Sequence, residues 1–420
     1  MKRLPLLCLV FSALTLRAER VRVVVALEAP TAGTIQSLQT ERPLELQTAA
    51  HLEPWGEGSV FAVEVERGEL ETLRHDPRVR AVSVDEGGTG GLLESVPLIG
   101  ADVVRAQGID GRGTTIAVLD TGIDTRNPDF AGRIVAQRCF CDNFDGTGCC
   151  PGGAVESAGP GSAEDDQGHG THVTGIAAGA GASAPPGVAP GASIVAVKVM
   201  DSENRFRGFT QIYRALAWIA DQRMDVSVIN MSLGSDALYL PSECGASALA
   251  LGLQPVIERL RARGVLITVS TGNQQSTSRT ALPACMDEVL GVGATFDAPG
   301  AHCGVNNPSA DEVTCYTNSS LSMDLLAPGD SIYASRRGGG GTLMSGTSMA
   351  APHVAGTIAL LKEAGGPALS ADVIRDLLTH TGKPVLDTRN QLTFPRIDAR
   401  AAVAAAPPRP PGIRRRAVRP

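Results

Sequence analysis

The segment TIAVLDTGID, Thr115–Asp124, gives the most direct indication of the fold. Thr115–Leu119 has the short, apolar and β-branched character of a buried strand, and Asp120 stands where that strand ends. Similar runs recur along the chain, separated by helical patterns at Phe209–Ala220 and Leu249–Arg263. These further predicted strands are Ile194–Val199, Val226–Met231, Val265–Val269 and Val289–Val292. The alternation predicts an α/β domain, residues 92–406, with a mostly parallel central sheet and helices on both faces.

The N-terminal part of the chain predicts two separate segments. Residues 1–18 have the basic start, apolar stretch and small final residue of a secretion signal. Residues 19–91 form a small α/β module that ends in an acidic, glycine-rich link at 85–91, where we expect a domain boundary and a cleavage zone. Its predicted strands are Val21–Leu27, Val60–Val65 and Val79–Val84, and its predicted helices lie at Thr34–Leu38 and Glu69–His75.

Charge and composition exclude several classes of function. The net charge of −7 and the pI near 5.6 give no reason to expect nucleic-acid binding. The apolar stretch of the signal is shorter than the roughly 20 residues that span a bilayer, and we expect no transmembrane segment elsewhere. Residues 407–420 are rich in proline and arginine and predict a disordered tail. We therefore expect a secreted protein, extracellular, periplasmic or surface-associated, that acts as a monomer.

The cysteines agree with export. Nine are present, of which Cys8 lies in the predicted signal, and an even remainder indicates disulfides in an oxidising compartment. The four in the C-x-C-x7-C-C cluster do not match a standard zinc pattern, so two disulfides are favoured there, with the connectivity open. The other four would pair most simply as Cys244 with Cys285 and Cys303 with Cys315. The cluster consists of Cys139, Cys141, Cys149 and Cys150.

Asp120 is the first candidate for chemistry. A carboxylate at the end of a buried strand can accept a hydrogen bond from an imidazole and fix its tautomer. The triplet D-T-G also occurs in aspartic peptidases, which need two such aspartates sharing a proton. The chain contains no second D-T-G or D-S-G, and its α/β pattern does not suit that class.

His169 is the second candidate, within Gly168–Val173 (GHGTHV) at the start of an apolar helical pattern. His172 lies one turn further on, and two histidines at this spacing could ligate a metal. The glutamate of the H-E-x-x-H zinc motif is absent. We therefore expect His169 to act in catalysis and His172 to be structural.

Ser348 and Asn273 complete the set. Ser348 lies in Ser345–Gly356 (SGTSMAAPHVAG), where glycine leads into a predicted helix. Its hydroxyl is therefore expected at the positive end of the helix dipole, and its own backbone N–H can point at a developing oxyanion. We predict that Pro352 falls in the first turn of that helix, where its missing N–H costs nothing. Asn273 follows a buried strand, and its amide is a candidate donor to an oxyanion.

These segments identify a resemblance. DTGID, GHGTHV and SGTSMAAPHVAG match the three catalytic motifs of the subtilisin family of serine peptidases almost letter for letter, in the order Asp, His, Ser. The resemblance covers about residues 96–406. It implies a secreted serine endopeptidase whose catalytic triad is Asp120, His169 and Ser348, with Asn273 in the oxyanion hole and proteins or peptides as substrates. The chemistry needs no cofactor.

The family implies further roles. The segment Ser232, Leu233 and Gly234 would pair with the substrate backbone and form one wall of the first specificity pocket, and Ser270, Thr271 and Gly272 would form the opposite wall. Residues 19–91 resemble an inhibitory propeptide of ferredoxin-like α/β fold, cleaved by the enzyme itself.

Asp129 matches a calcium ligand of several members of the family. The loop 179–190, which should supply the other ligands, lacks the carboxylates and amides that calcium prefers, and this argues against calcium at Asp129. Structural calcium is left open at acidic loops such as Asp165-Asp166.

Two alternative functions have distinct requirements. A peptide-binding pseudo-enzyme would lack or replace a catalytic residue, and none is missing. An esterase of the α/β-hydrolase type would need a G-x-S-x-G elbow around its serine and the order Ser, acid, His. Neither feature is present around Ser348. Both alternatives are therefore disfavoured by the sequence.

Overall fold

The computed structural model describes residues 20–27, 53–55, 60–66, 69–84, 92–143, 145, 147–298, 301–302, 305–306, 308–366 and 369–408. The chain divides into two compact units, residues 1–89 and 90–420. Several predicted features lie outside the described residues: the signal, the helix at Thr34–Leu38, the link at 85–91 and the tail from residue 409 onward.

The N-terminal unit is built on a four-stranded antiparallel sheet in the order β2-β3-β1-β4. Its described elements are β1 (Arg20–Leu27), β2 (Glu53–Trp55), β3 (Val60–Glu66), α1 (Leu70–Arg74) and β4 (Val79–Val84). This order matches the ferredoxin-like arrangement that the resemblance implied. The three predicted strands are confirmed, and β2, which is only three residues long, is an addition.

The second unit contains a sheet of ten strands in the order β19-β20-β16-β13-β11-β9-β5-β8-β6-β7. The eight strands from β20 to β6 run parallel, and an antiparallel strand closes each edge. The five strands predicted from sequence are the adjacent central ones, β13, β11, β9, β5 and β8. The strands are β5 (Thr115–Asp120), β6 (Ile134–Phe140), β7 (Glu156–Ala158), β8 (Ser193–Lys198), β9 (Val228–Met231), β11 (Leu266–Ser270), β13 (Leu290–Thr295), β16 (Leu325–Pro328), β19 (Lys383–Asp387) and β20 (Leu392–Arg396).

Helices and short two-stranded pairs surround the sheet. The helices of this unit are α2 (Leu92–Leu98), α3 (Ala101–Ala106), α4 (His169–Ala178), α5 (Phe209–Gln222), α6 (Pro241–Cys244), α7 (Ala248–Ala262), α8 (Thr347–Gly365), α9 (Ala371–Thr381) and α10 (Ala399–Ala405). Three two-stranded pairs complete it: β10 (Leu238–Tyr239) with β12 (Thr280–Ala281), β14 (Ala301–His302) with β15 (Val305–Asn306), and β17 (Ile332–Ser335) with β18 (Gly341–Met344).

Helices cover both faces of the sheet, as the apolar strands require. Along β5, Ile116 and Val118 join a core with α4 and α8, whereas Ala117 and Leu119 join a second core with α5 and α7. This alternation is the two-residue period of a strand buried on both faces. The predicted mostly parallel sheet with helices on both sides is confirmed.

Three disulfides join described cysteines. Cys139 pairs with Cys150 and Cys141 with Cys149, which resolves the connectivity that the sequence left open and uses all four thiols that a zinc site would need. Cys244 pairs with Cys285, as predicted. Cys315 is also disulfide-bonded, and its predicted partner, Cys303, lies outside the described residues.

In the part of the chain that the structure describes, no helix combines the length and the apolar character needed to cross a bilayer.

The close approach of α8 to α4 and to the loop that follows α4 gives a first prediction. A Cβ added at Gly356, in the middle of α8, would lie 2.5 Å from Val188 Cβ and 3.0 Å from Ala177 O. Although alanine favours a helix over glycine, we expect Gly356→Ala to destabilise the fold by about 1–3 kcal/mol through overpacking. Thermal unfolding measures the effect.

Gly252 in α7 is the matched control, because an added Cβ there meets nothing within 4 Å. Gly252→Ala should stabilise the fold by up to about 1 kcal/mol through helix propensity alone. Equal effects at the two positions would contradict the packing described for α8.

Candidate active site

The candidate site lies at the carboxyl edge of the parallel strands. Asp120 is the last residue of β5, Ser232 follows its neighbour β9, and Asn273 follows β11, the next strand along. Ligand sites in open α/β sheets form at this edge. His169 and Ser348 come from the first residues of α4 and α8, two helices that pack against each other.

Asp120 and His169 are joined by a direct hydrogen bond. The carboxylate is fully buried, and its Oδ1 accepts from His169 Nδ1 at 2.7 Å and from the Thr121 amide at 2.7 Å. Because an ionised carboxylate only accepts, Nδ1 carries the proton, and Nε2 of a neutral ring is left as the basic nitrogen. The pair therefore has the tautomer that a general base requires.

The surroundings of His169 raise its pKa above the ordinary value of 6.5. Burial acts to lower the pKa, since it disfavours the charged ring. The charge of Asp120, its hydrogen bond and the charge of Asp165 outweigh that effect. The site thus stabilises the imidazolium that a proton-accepting histidine would become.

The two other histidines of the motifs, His172 and His353, are buried and hydrogen-bonded to groups outside the Asp120–His169 pair, and for His172 this fits the structural role expected from the sequence. His172 Nε2 donates to the carbonyls of Ile332 at 2.9 Å and Thr342 at 3.0 Å, and burial lowers its pKa to about 4. His353 donates from Nδ1 to Met349 O and accepts from the hydroxyl of Ser95, and burial likewise lowers its pKa to about 4. Both are neutral near pH 7.

Ser348 is the second residue of α8 and is half-buried among buried neighbours. Its backbone oxygen accepts a 2.7 Å hydrogen bond from Ser232 Oγ. That oxygen is free for Ser232 because Pro352, four residues later, has no N–H to offer it. The expectation that Pro352 lies in the first turn was wrong: α8 begins at Thr347, which makes Pro352 its sixth residue.

A chain of buried polar groups orients Ser232. Asn230 Nδ2 donates to Ser232 Oγ at 3.0 Å, and Asn230 Oδ1 accepts from Thr268 Oγ1 at 2.9 Å. The Ser348 hydroxyl donates to Ser232 O over a longer 3.4 Å. Within the described residues, no hydrogen bond joins Ser348 to His169. Catalytic contacts are often long before substrate binds.

The amide of Asn273 has a defined orientation. Its Oδ1 accepts from both the backbone N–H and the hydroxyl of Thr347, each at 2.9 Å, so its NH₂ group points the other way. An ideal Cβ on Gly346 would lie 3.2 Å from Asn273 Nδ2 and 3.7 Å from Ser348 N. The two donors therefore flank one small space that the glycine leaves open.

The two predicted pocket walls lie side by side. Ser270 Oγ donates to Leu233 O at 3.4 Å, and Ser232–Gly234 leads into Ser235, whose amide donates to Leu282 O at 2.8 Å. Gly272 has a φ of +99°, and a Cβ there would meet Asn318 Nδ2 at 2.5 Å. The described structure thus brings the two segments together and requires glycine at position 272.

Asp129 does not fit a calcium site. Its carboxylate is fully buried and faces donors, whereas a calcium ion needs oxygen acceptors around it. Burial acts to raise the pKa of Asp129, but the hydrogen bonds, led by that from the Ser183 amide, hold it below the ordinary value. The donors are Ala182 N, Ser183 N, Ser183 Oγ, Ala184 N and Ser335 Oγ, at 2.6–3.2 Å.

The carboxylates of Asp165 and Asp166 also face hydrogen-bond donors. One of these donors, Lys198, was not a candidate in the sequence analysis. The carboxylate of Asp165 accepts hydrogen bonds from the Asp120 and His169 segments. Asp166 pairs with Lys198, whose buried Nζ also donates to the carbonyls of Thr121 at 2.8 Å and Met200 at 2.9 Å. Lys198 is the only charged residue within the five strands predicted for this domain. A charge in an otherwise apolar strand could have marked Lys198 as a functional candidate from the sequence.

Comparison with known proteins identifies the family. The model of the subtilase family, Peptidase_S8, matches residues 111–399. The chain belongs to the subtilase family. It is a subtilisin-type serine endopeptidase, and its substrates are proteins or peptides.

Individual subtilases resemble the chain over most of its length. The "Major intracellular serine protease" of Bacillus subtilis (strain 168) is 31% identical over 300 residues, 70% of this chain and 81% of the relative. "Subtilisin DY" of Bacillus licheniformis is 31% identical over 70% of this chain and 92% of its own. "Subtilisin-like protease 1" of Arthroderma otae is 30% identical over 83% of this chain and 67% of its own.

A solved structure agrees with the fold. The crystal structure of a cold adapted subtilisin-like serine proteinase superposes with a TM-score of 0.52 at 29% sequence identity, covering 68% of this chain and 89% of that one.

The donors around Asp129 generate a prediction on calcium. Asp129→Asn should lower stability by about 2–3 kcal/mol, because an ionised, multiply bonded acceptor is lost. The shift in unfolding temperature between calcium-containing and EDTA-containing buffer should be the same in the variant and the wild type. Asp376→Asn, at an exposed position of α9, is the control and should change stability little.

Calcium stabilisation that is present in the wild type and lost in Asp129→Asn would show that a cation does bind this carboxylate.

Proposed function

We propose that this subtilase acts through a triad of Asp120, His169 and Ser348, and that it is exported as a zymogen that removes its own N-terminal module. The observation that carries the triad is the buried 2.7 Å hydrogen bond between His169 Nδ1 and Asp120 Oδ1. The packing of α4 on α8 supports the inclusion of Ser348. We propose in addition that the enzyme acts as a monomer.

The chemistry follows from the tautomer of His169. Ser348 Oγ attacks the carbonyl carbon of the scissile peptide bond as Nε2 of His169 takes its proton. The resulting imidazolium is stabilised by Asp120 and then protonates the departing amine. Water next attacks the acyl-enzyme, and His169 again acts as the base. Ser348 is released with its proton and the carboxylate product leaves.

Two donors would stabilise the negative oxygen that forms in each step. Asn273 Nδ2 and the Ser348 amide flank the space next to Gly346, and no described group accepts a hydrogen bond from that Asn273 donor. A donor aimed at a developing oxyanion typically contributes about 10²–10³ in turnover. The segments Ser232–Gly234 and Ser270–Gly272 would hold the substrate backbone between them.

The N-terminal module supports a zymogen. Residues 1–89 form a compact unit of their own, built on a ferredoxin-like sheet. The similarity to the Arthroderma protease extends over 83% of this chain, a larger share than residues 92–420 make up, so it enters this module. We propose that the module inhibits the site until the chain is cut within the 85–91 link.

Disulfides support export over an intracellular location. Cys139–Cys150, Cys141–Cys149 and Cys244–Cys285 would not persist in a reducing cytosol. The names of two relatives, from Bacillus subtilis and Paenibacillus polymyxa, describe intracellular serine proteases, which keeps the cytosol as the alternative. Cell fractionation with thiol labelling separates the two: export predicts an enzyme outside the cytosol without free thiols.

Replacement of Ser348 tests the nucleophile and the self-processing together. Ser348→Ala should abolish casein digestion and leave the N-terminal module attached, whereas the wild type should lose it by cleavage within 85–91. Intact-mass analysis and a casein assay on side-by-side preparations measure both. A variant that matures unaided at the wild-type rate would refute self-processing, and residual casein cleavage would refute the nucleophile.

The raised pKa of His169 predicts the acid limb of the pH profile. Only the neutral ring can accept a proton, so kcat/KM should fall as the pH drops through a value above 6.5, the ordinary histidine pKa. Asp120→Asn removes the larger of the two charges that raise this pKa, so that burial, which lowers it, is opposed by Asp165 alone. The limb should move to lower pH while kcat falls by about 10⁴-fold.

A limb that stays in place in Asp120→Asn would mean that another group controls the pH dependence.

A further inference from the structure

A second buried carboxylate lies beside the Asp120–His169 pair. Asp165 is four residues before His169 and is fully buried. Its Oδ1 accepts from Thr121 Oγ1 at 2.9 Å and from the amides of Gln167 at 3.0 Å and Gly168 at 2.8 Å. One oxygen therefore binds both the residue after Asp120 and the residue before His169.

The other oxygen of Asp165 binds the first turn of α4. Oδ2 accepts from the Thr171 amide at 2.9 Å and from Thr171 Oγ1 at 2.5 Å. Burial acts to raise the pKa of Asp165, but the donors, Thr171 Oγ1 foremost, hold it below the ordinary value, so the group is ionised at neutral pH. One carboxylate oxygen thus holds the residues before His169, and the other holds Thr171, two residues after it.

Two threonine hydroxyls connect Asp165 to both the turn after β5 and the start of α4. Thr121 Oγ1 donates to Asp165 and accepts from the Gly170 amide at 2.9 Å. Thr171 Oγ1 donates to Asp165 and accepts from the Asp124 amide at 3.0 Å. Each hydroxyl links the turn after β5 to the start of α4, and each is oriented by Asp165.

We propose that Asp165 is a positioning residue, which sets the distance and orientation of the His169 ring relative to Asp120 and stabilises the imidazolium through its charge. The proposal rests on the triad proposed above, because it concerns the efficiency of that same pair. Asp165 acts through the turn 121–124 and the first turn of α4, without contact to the reacting atoms.

Few other charges among the described residues act on the His169 ring. Asp120 at the end of β5 and Asp165 in the preceding loop act to raise its pKa, and burial opposes them. His172 on α4 is neutral near pH 7. Lys198 is engaged with Asp166. A change at Asp165 should therefore register directly in the titration of His169.

The test compares Asp165→Asn with Asp129→Asn. The side-chain amide introduced by Asp165→Asn would turn its NH₂ group toward existing donors in either orientation, because donors face both oxygens of the native carboxylate. Asp129 is the matched control: it is equally buried and accepts from five donors, but these come from the loop 182–184 and from Ser335. Both variants should lose stability, which thermal unfolding measures.

Only Asp165→Asn should affect the chemistry. We expect its kcat to fall by about 10- to 100-fold with little change in KM, as for a reacting group displaced by less than an ångström or so. The acid limb of kcat/KM should move to lower pH. Asp165→Glu keeps the charge and should keep more of the pH profile than of kcat.

A second readout does not depend on activity. In a Ser348→Ala background, which prevents self-digestion, ¹⁵N-histidine NMR should show a lower pKa for His169 in Asp165→Asn and an unchanged one in Asp129→Asn. Should Asp165→Asn fail to fold, Thr121→Val removes one link while keeping the carboxylate, and it should lower kcat in the same direction by a smaller factor.

The outcomes separate this proposal from the proposed function. Unchanged kcat, pH limb and His169 titration in a folded Asp165→Asn enzyme would overturn the positioning role. The same holds for an unchanged kcat in Thr121→Val if Asp165→Asn does not fold. A wild type without peptidase activity would refute the triad as a catalyst, while the NMR titration would still decide whether Asp165 acts on His169.

Discussion

The burial of the Asp120 carboxylate is the constraint on which the rest of the site depends. A charge removed from water must find donors inside the protein, and here they are the Thr121 amide and the His169 ring. This requirement brings the start of α4 directly over the end of β5. The approach is so close that a Cβ on Gly170 would lie 2.2 Å from Gly122 O. Glycine at position 170 therefore follows from the pairing of Asp120 with His169.

Buried carboxylates serve as connectors in several places in the described structure. Asp165 joins the segment that follows Asp120 to the segment that precedes His169, and Asp129 holds the loop 182–184. Glu363 on α8 accepts from the successive amides of Asp110, Gly111 and Arg112, which form the turn before β5. In each case one carboxylate accepts hydrogen bonds from several backbone amides of a loop that has no strand or helix partner for them.

The serine side of the site depends on a missing hydrogen bond. Pro352 leaves the carbonyl of Ser348 without its usual helical donor, and Ser232 fills that role. Because Ser232 is oriented by Asn230, the segment proposed to bind substrate and the proposed nucleophile are set relative to each other. A proline that looked like a helix-start signal in the sequence is thus part of the site's geometry.

The sequence by itself determined the α/β class, the five central strands, the order of the motifs and hence the family, since these depend on local patterns of apolar residues and on short spacings. It also indicated the pairing of Cys244 with Cys285. Only the tertiary structure decided the pairing within the cysteine cluster, the donors around Asp129, and the contacts of Asp165 and Lys198. These depend on which side chains meet across distant segments. The sequence alone does not distinguish an aspartate that accepts hydrogen bonds from one that binds a cation. Local pattern therefore predicts where a group lies along the chain, and the fold decides what it contacts.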